Sequence, residues 1–332
     1  MMRQFLSFLI VVCLFTVGCS KENSDYFLLY NTPVNDTSWN HNLTANAVSN
    51  NLFDGLALTP FIDSFNVTGS AFLRVNANLD VAIPAACLEN VNGTSVTPGR
   101  VRIELRHVTR RGDFIRYARP TTSYGQLLES ISAFQVKFFR ADQELRLLPG
   151  KKLFFTLRDS NPTNGMNVFF GNSQPHLPFP AGTNPFFVWM HAADSSLITP
   201  FVHQDSLGTT KGYQLFAGKT NWINCLKPVD TALSKSNINI TLSPIFTNNN
   251  TAVFAILKQR KVVVQLNGDY ASRSFNAPNI PIGSELQLIS LSLIGNQYYL
   301  GFKEAVMTQD LISIVNPAAK SKAEISQFLS EL

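Results

Sequence analysis

The sequence predicts a mainly β protein: two antiparallel β-sandwich domains behind a signal peptide and a flexible tether, with a short C-terminal helix. Three observations carry this expectation. Apolar and polar residues alternate with period two in many short runs. Asn-Gly, Pro-Gly and Gly-Asn pairs punctuate those runs. Helical periodicity is confined to the end of the chain.

Taken in order, the chain opens on Arg3 and an apolar core from Phe5 to Val17, followed by the small residues Thr16, Val17 and Gly18. Residues 1–18 therefore read as a signal peptide, since the apolar run is shorter than the roughly 20 residues a spanning helix needs. Small residues followed by Cys19 resemble the lipobox of bacterial lipoproteins, with Thr16 standing where Leu is usual. The resemblance implies a diacylglycerol on the Cys19 thiol and cleavage before it. Two or more acyl chains hold a protein on a membrane firmly, whereas one does not. Ser20, Lys21 and Glu22 are similar to the short charged tag that directs Bacteroidota lipoproteins to the outer face of the outer membrane. Residues 19–51, rich in Asn, Ser and Thr, read as a lipid-anchored tether.

The first sandwich is expected over 52–171. In "VRIELRHV", Val101, Ile103 and Leu105 alternate with Arg102, Glu104 and Arg106, and "AFQVKFF" repeats the pattern with Phe134, Val136 and Phe138 inward. "KLFFTLR" from Lys152 follows suit. Prolines crowd "NSQPHLPFPAGTNP", and each removes a ladder donor, so 172–186 reads as a linker. The second sandwich is expected over 187–315, with strands at "INITL", "KVVVQL" and "QYYLGF" and turns at Asn267-Gly268 and Gly295-Asn296. Over 316–332 a helix is expected, capped by Asn316, with Pro317 in its first turn and Ile325, Phe328 and Leu329 as its apolar stripe.

"LDVAIPAACLENVNGTSVTPGRVRIELRHVTRRGDFI" and "PTTSYGQLLES" resemble a domain of Bacteroidota surface lipoproteins, related in outline to the β-sandwich domains of ankyrins and netrin receptors. "NWINC" at Asn221 is similar to a motif in the second half of the same proteins, with Leu226 where an Asp is usual. The resemblance implies architecture and an outer-membrane, surface-exposed location, not chemistry. Some ankyrin-type relatives cleave themselves after a His-Phe pair, but Val108 and Thr109 follow His107 here.

Charge and motifs narrow the function. A net charge of +5 over 332 residues does not suit a dedicated nucleic-acid binder. Seven arginines from Arg100 to Arg119 form the densest basic run, and Arg100, Arg102 and Arg106 share one strand face as a candidate patch for anionic ligands, a solvated sheet face being the plainer reading. Arg111-Gly112-Asp113 is the tripeptide integrins read in exposed loops, although Gly-Asp equally suits a turn. His191, Asp194, His203 and Asp205 cluster in sequence without metalloprotease spacing, and scattered loop residues explain them better. No G-x-S-x-G is present. Asp205-Ser206-Leu207 and Asp230-Thr231-Ala232 fit the O-glycosylation pattern of exported Bacteroidota proteins. Cys87 and Cys225, placed in different domains, read as buried free thiols rather than a disulfide. No cofactor or metal is expected. The expected function is a lipid-anchored binding or structural module whose partners are the membrane, through Cys19, and envelope proteins or glycans. The alternative is a hydrolase of polysaccharides or esters whose site forms only in three dimensions.

Overall fold

The computed structural model describes residues 38–40, 52–173, 187–193, 196–206, 208–229 and 232–332. Cys19, the signal peptide, most of the tether, Asp194, Asp230, Thr231, Leu207 and the proline-dense segment from 174 lie outside the described residues. The described chain is mainly β, with antiparallel sheets and one short C-terminal helix.

Three sheets make up the fold. The first contains β1 (Phe61–Asn66), β4 (Leu88–Asn90), β5 (Arg100–Val108), β6 (Thr122–Ser123), β7 (Gln126–Arg140) and β8 (Gln143–Leu147). It also takes in β10 (Asn167–Asn172), β11 (Val188–His191) and β14 (Asn221–Pro228), in the main order β1-β5-β7-β14-β10-β11. The second sheet holds β2 (Ala71–Asn76), β3 (Leu79–Ile83), β9 (Leu153–Arg158), β12 (Leu197–Asp205) and β13 (Gly208–Ala217), ordered β12-β13-β9-β3-β2. These two sheets face each other over a core that includes Val101, Ile103, Leu105, Phe134, Phe138, Phe155 and Tyr213. The inward residues of "VRIELRHV" and "AFQVKFF" are the ones alternation selects.

The third sheet starts from β15 (Lys235–Thr241), β16 (Thr251–Leu257), β17 (Val262–Asp269) and β18 (Ser274–Pro281). It continues with β19 (Glu285–Ile294), β20 (Gln297–Val306), β21 (Leu311–Ile314) and β22 (Ala318–Lys320). Its order is β21-β15-β18-β17-β16-β19-β20-β22, with β15 and β21 parallel. Strand β17 pairs with β16 through Leu266 and with β18 from Asn267 onward, so one sheet curls over its own core of Ile238, Val253, Val264 and Phe275. The expected turn at Asn267-Gly268 is this bend inside a strand. A Cβ at Gly268 would stand 2.5 Å from the Asn248 Cβ and 3.2 Å from Trp39, so glycine serves close approach there.

Two boundaries differ from the sequence expectation. Strands β11 to β14, beyond the prolines, complete the two sheets of the first sandwich, and β10 pairs antiparallel with β11. The strands on either side of the proline-dense segment thus belong to one sheet. The sandwiches change over between Pro228 and Lys235 instead, and residues 35–332 form one compact unit. Proline forbids a ladder bond but does not choose which sheet the next strand joins. "NWINC" accordingly lies in β14, in the middle of the first sheet, and Cys87 and Cys225 are buried in the same core as free thiols. Burial pushes their pKa values up to about 11 and about 12, so both are poor nucleophiles.

The helices differ too. The six-residue α1 (Arg111–Arg116) follows β5, and α2 (Lys322–Glu331) ends the chain. Ser321, not Asn316, caps α2: its hydroxyl accepts from the Glu324 amide and the Glu324 carboxylate accepts from the Ser321 amide. Residues 318–320 pair with β20 instead of starting the helix. The stripe stands as expected, with Ile325 and Leu329 fully buried and Phe328 partly so. Within the expected tether, Trp39 packs on Phe275 at 5.1 Å, and Asn40 exchanges two hydrogen bonds with Asn248. Residues 38–40 are therefore docked on the second sandwich.

Candidate functional site

The basic run divides when folded. On β5, Arg100, Arg102, Glu104, Arg106 and Val108 share the face turned away from the first core, and Val108 is where the second sandwich covers that face. The three candidate arginines thus do lie together, but each has a protein partner. Arg100 donates to the Ser64 hydroxyl, and Arg102 pairs with Glu104 at 3.3 Å over the Phe139 ring. Arg106 donates to the Gln135 side-chain oxygen at 2.9 Å. Lys137 and Glu144, paired at 3.4 Å, stand beside them, so the face alternates in sign. Pairing of this kind lowers the field available to a ligand.

From Arg110 to Arg119 the guanidinium groups hold the fold together. Arg110 donates to the Ser330 carbonyl, Arg111 to the Leu332 and Lys258 carbonyls, and Arg116 to those of Leu56 and Ser326. Arg119 lies over the rings of Phe187 and Trp222, and burial lowers its pKa to about 10. Arg111-Gly112-Asp113 is the first half of α1, and Gly112 and Asp113 are buried beneath α2. An integrin reads this tripeptide from an exposed loop, and that geometry is not present. Of the His/Asp cluster, His191 ends β11 in the first sheet, whereas His203 and Asp205 lie on β12, an edge of the second. Among the described residues no three His, Cys, Asp or Glu side chains converge as a metal site.

A cleft of about 750 Å³ opens at one end of the first sandwich. Its floor is made by a register irregularity. The pairing of β7 with β14 slips between Cys225 and Leu226, leaving Ile131 as an extra residue between Ser130 and Ser132. Ser132 continues the inward face of Phe134 and Val136 and meets His107 of β5 there. At the slip itself, the Ile131 carbonyl accepts from the Lys261 ammonium at 2.9 Å. Lys261 belongs to the connection between β16 and β17, so the second sandwich supplies one wall. Leu157 to Ser160 and Thr209 to Lys211 supply the opposite one.

His107 sits in this cleft in a fixed state. Its ring stacks on Phe134 with centroids 5.2 Å apart, Nε2 lies 2.7 Å from the Ser132 Oγ, and Nδ1 lies 2.9 Å from the Asn76 Nδ2. The Asn76 Oδ1 accepts from the Asn78 amide, which turns its NH₂ toward His107. Nδ1 is therefore an acceptor, and Nε2–H donates to Ser132. Protonating Nδ1 would aim N–H at NH₂. Burial, with the Lys261 charge adding to it, lowers the His107 pKa to about 4.

A pH dependence follows. An unfolded His107 takes a proton near its ordinary pKa of about 6.5, whereas the folded one resists to about 4. Between these values the unfolded state binds more protons, so stability falls as pH drops through this window. From pH 7 to pH 5 His107 accounts for a loss of about 2 kcal/mol. Urea melts at the two pH values, compared with His107→Gln, check this: the variant should show a smaller drop between them.

Sequence reasoning did not select the cleft. One signal was legible: His107 continues the inward series Val101, Ile103, Leu105 and breaks its apolar character. Nothing local linked it to Ser132, Lys211 or Lys261. The chain matches no family model, no curated protein and no solved structure.

Proposed function

We propose that this protein is a lipid-anchored cell-envelope module that binds a ligand and does not transform it. The location rests on the signal peptide, the small residues before Cys19 and the resemblance to Bacteroidota surface lipoproteins. Among the described residues no helix is long and apolar enough to cross a membrane. The observation that carries the binding reading is the state of His107. The cleft presents polar groups already oriented by internal hydrogen bonds, as a binding site does.

One contact favours the hydrolase reading: the 2.7 Å approach of His107 to Ser132 has the length of a base–nucleophile pair. Two features oppose it. A general base must accept the serine proton, and here Nε2 donates. Ser132 is also only 1% exposed, which shields its hydroxyl from a carbonyl carbon. The test is to follow both binding and product release over a panel of acyl esters and envelope polysaccharides. Saturable binding without products is expected. Turnover that disappears in both Ser132→Ala and His107→Gln, with folding intact, would overturn the proposal.

A further inference from the structure

The cleft has a chemical character that narrows its ligand, and this step rests on the binding reading above. Its walls carry hydroxyl groups, including those of Thr109, Ser160 and Thr210, beside the ammonium groups of Lys211 and Lys261. Charge is unevenly distributed among them. The Arg158 guanidinium, also on the wall, is held by the Asp80 carboxylate and the Ala77 carbonyl. Asp159 is the acid in the lining, its carboxylate already accepts from the Asn161 amide, and Lys261 also feels Glu129, which is itself paired with Lys227. Lys261 uses one of its three donors on the Ile131 carbonyl, and Lys211 is exposed on β13. His107 adds no charge at neutral pH. The volume, about 750 Å³, lies within the roughly 300–1,000 Å³ of small-molecule sites.

We propose that this cleft binds a saccharide bearing a carboxylate, with Lys211 and Lys261 receiving the acid and the threonine and serine hydroxyls receiving the sugar hydroxyls. A small excess of positive charge suits one singly charged group better than a polyphosphate, which demands several cations converging on one point. An apolar ligand would leave the hydroxyl groups and ammonium groups desolvated and unpaired, at a cost for each. A neutral sugar would leave the positive charge in excess of Asp159 without a counter-ion.

Calorimetric titration of the purified protein with tetragalacturonate, a glucuronate-containing hyaluronan tetrasaccharide and neutral maltotetraose tests this. At least one acidic probe should bind, weakening as salt rises from 0.05 to about 0.5 M, because exposed charges are screened over that range. Lys211→Gln, at an exposed position, should fold normally and lose about tenfold in affinity, the scale of one charge-assisted hydrogen bond. Lys261→Gln should lose at least as much, with circular dichroism confirming its fold. The proposal falls if neither acidic probe binds, if maltotetraose binds as well as they do, or if both variants bind like the parent. Binding of maltotetraose alone overturns the carboxylate but leaves the binding module standing. Shortened saccharides in any titration cell would instead overturn the binding reading itself.

Discussion

Ending the chain before Ser321 is expected to destabilise the protein by more than about 5 kcal/mol, enough to unfold a domain of ordinary stability. The α2 helix buries Ile325 and Leu329 completely in the cluster that joins the two sandwiches, alongside Phe114, Phe254 and Leu128. Losing one large apolar side chain from such a site costs about 2–5 kcal/mol. The polar loss compounds this. Arg110, Arg111 and Arg116 would lose the carbonyls of Ser330, Leu332 and Ser326 as acceptors. Arg116 is only 3% exposed, pairs with Asp113 at 3.5 Å, and would keep fewer partners for a buried charge. Burial already works against this pair, raising the Asp113 pKa and lowering that of Arg116. Gly112 completes the fit, since a Cβ there would lie 1.8 Å from the Leu329 carbonyl oxygen. Chemical denaturation of the truncated chain checks the expectation, and a midpoint near that of the parent refutes it. Ser321→Ala provides scale: loss of the cap alone should cost about 1 kcal/mol.

Phe254→Ala should cost about 3–5 kcal/mol, with no comparable effect from Phe72→Ala. Phe254 is fully buried at the centre of β16, the strand whose seven residues are all buried. Ala252, Phe254 and Ile256 point to the cluster between the sandwiches, and Val253, Ala255 and Leu257 to the second core. Removing the ring leaves a cavity between two sheets whose hydrogen-bonded backbones limit collapse. Phe72, 66% exposed on β2, loses little by truncation, and its change should stay within about 0.5 kcal/mol. Thermal melts of the two variants beside the parent give the comparison. Equal shifts would mean that the junction of the sandwiches does not govern stability.

How much was legible in the sequence varies by element. Strands β5, β7, β9, β15, β17 and β20 fall on the quoted runs, and the period is clearest in β5, β9 and β15, because a strand with one buried face writes its period into the chain. Strand β16 shows the limit of that signal. Buried on both faces, it reads as the continuous run "TAVFAIL" and carries no period. The α2 stripe was legible, but its start was not, since Asn316-Pro317 and Ser321-x-x-Glu324 both look like helix openings. Pairing of residues 318–320 with β20 decided between them.

The candidate site was less legible. Arg100, Arg102 and Arg106 share a face as their spacing requires, yet Ser64, Glu104 and Gln135, which engage them, come from the same and neighbouring strands. His107, Ser132 and Lys261 are scattered over more than 150 positions and meet because β5 pairs with β7 and the second sandwich brings the Lys261 ammonium to the Ile131 carbonyl. The strands with one buried face, the face they present to a core and the helical C-terminal stripe are therefore set by the sequence alone. All of these depend on neighbours a few residues apart. The tertiary structure alone decided that β11 to β14 join the first sandwich, that the arginines after Arg110 bind backbone carbonyls, and that the cleft exists. Each of these depends on which strands pair, and main-chain hydrogen bonds form between strands whatever their side chains. Local pattern therefore leaves that choice to the packing of the whole chain.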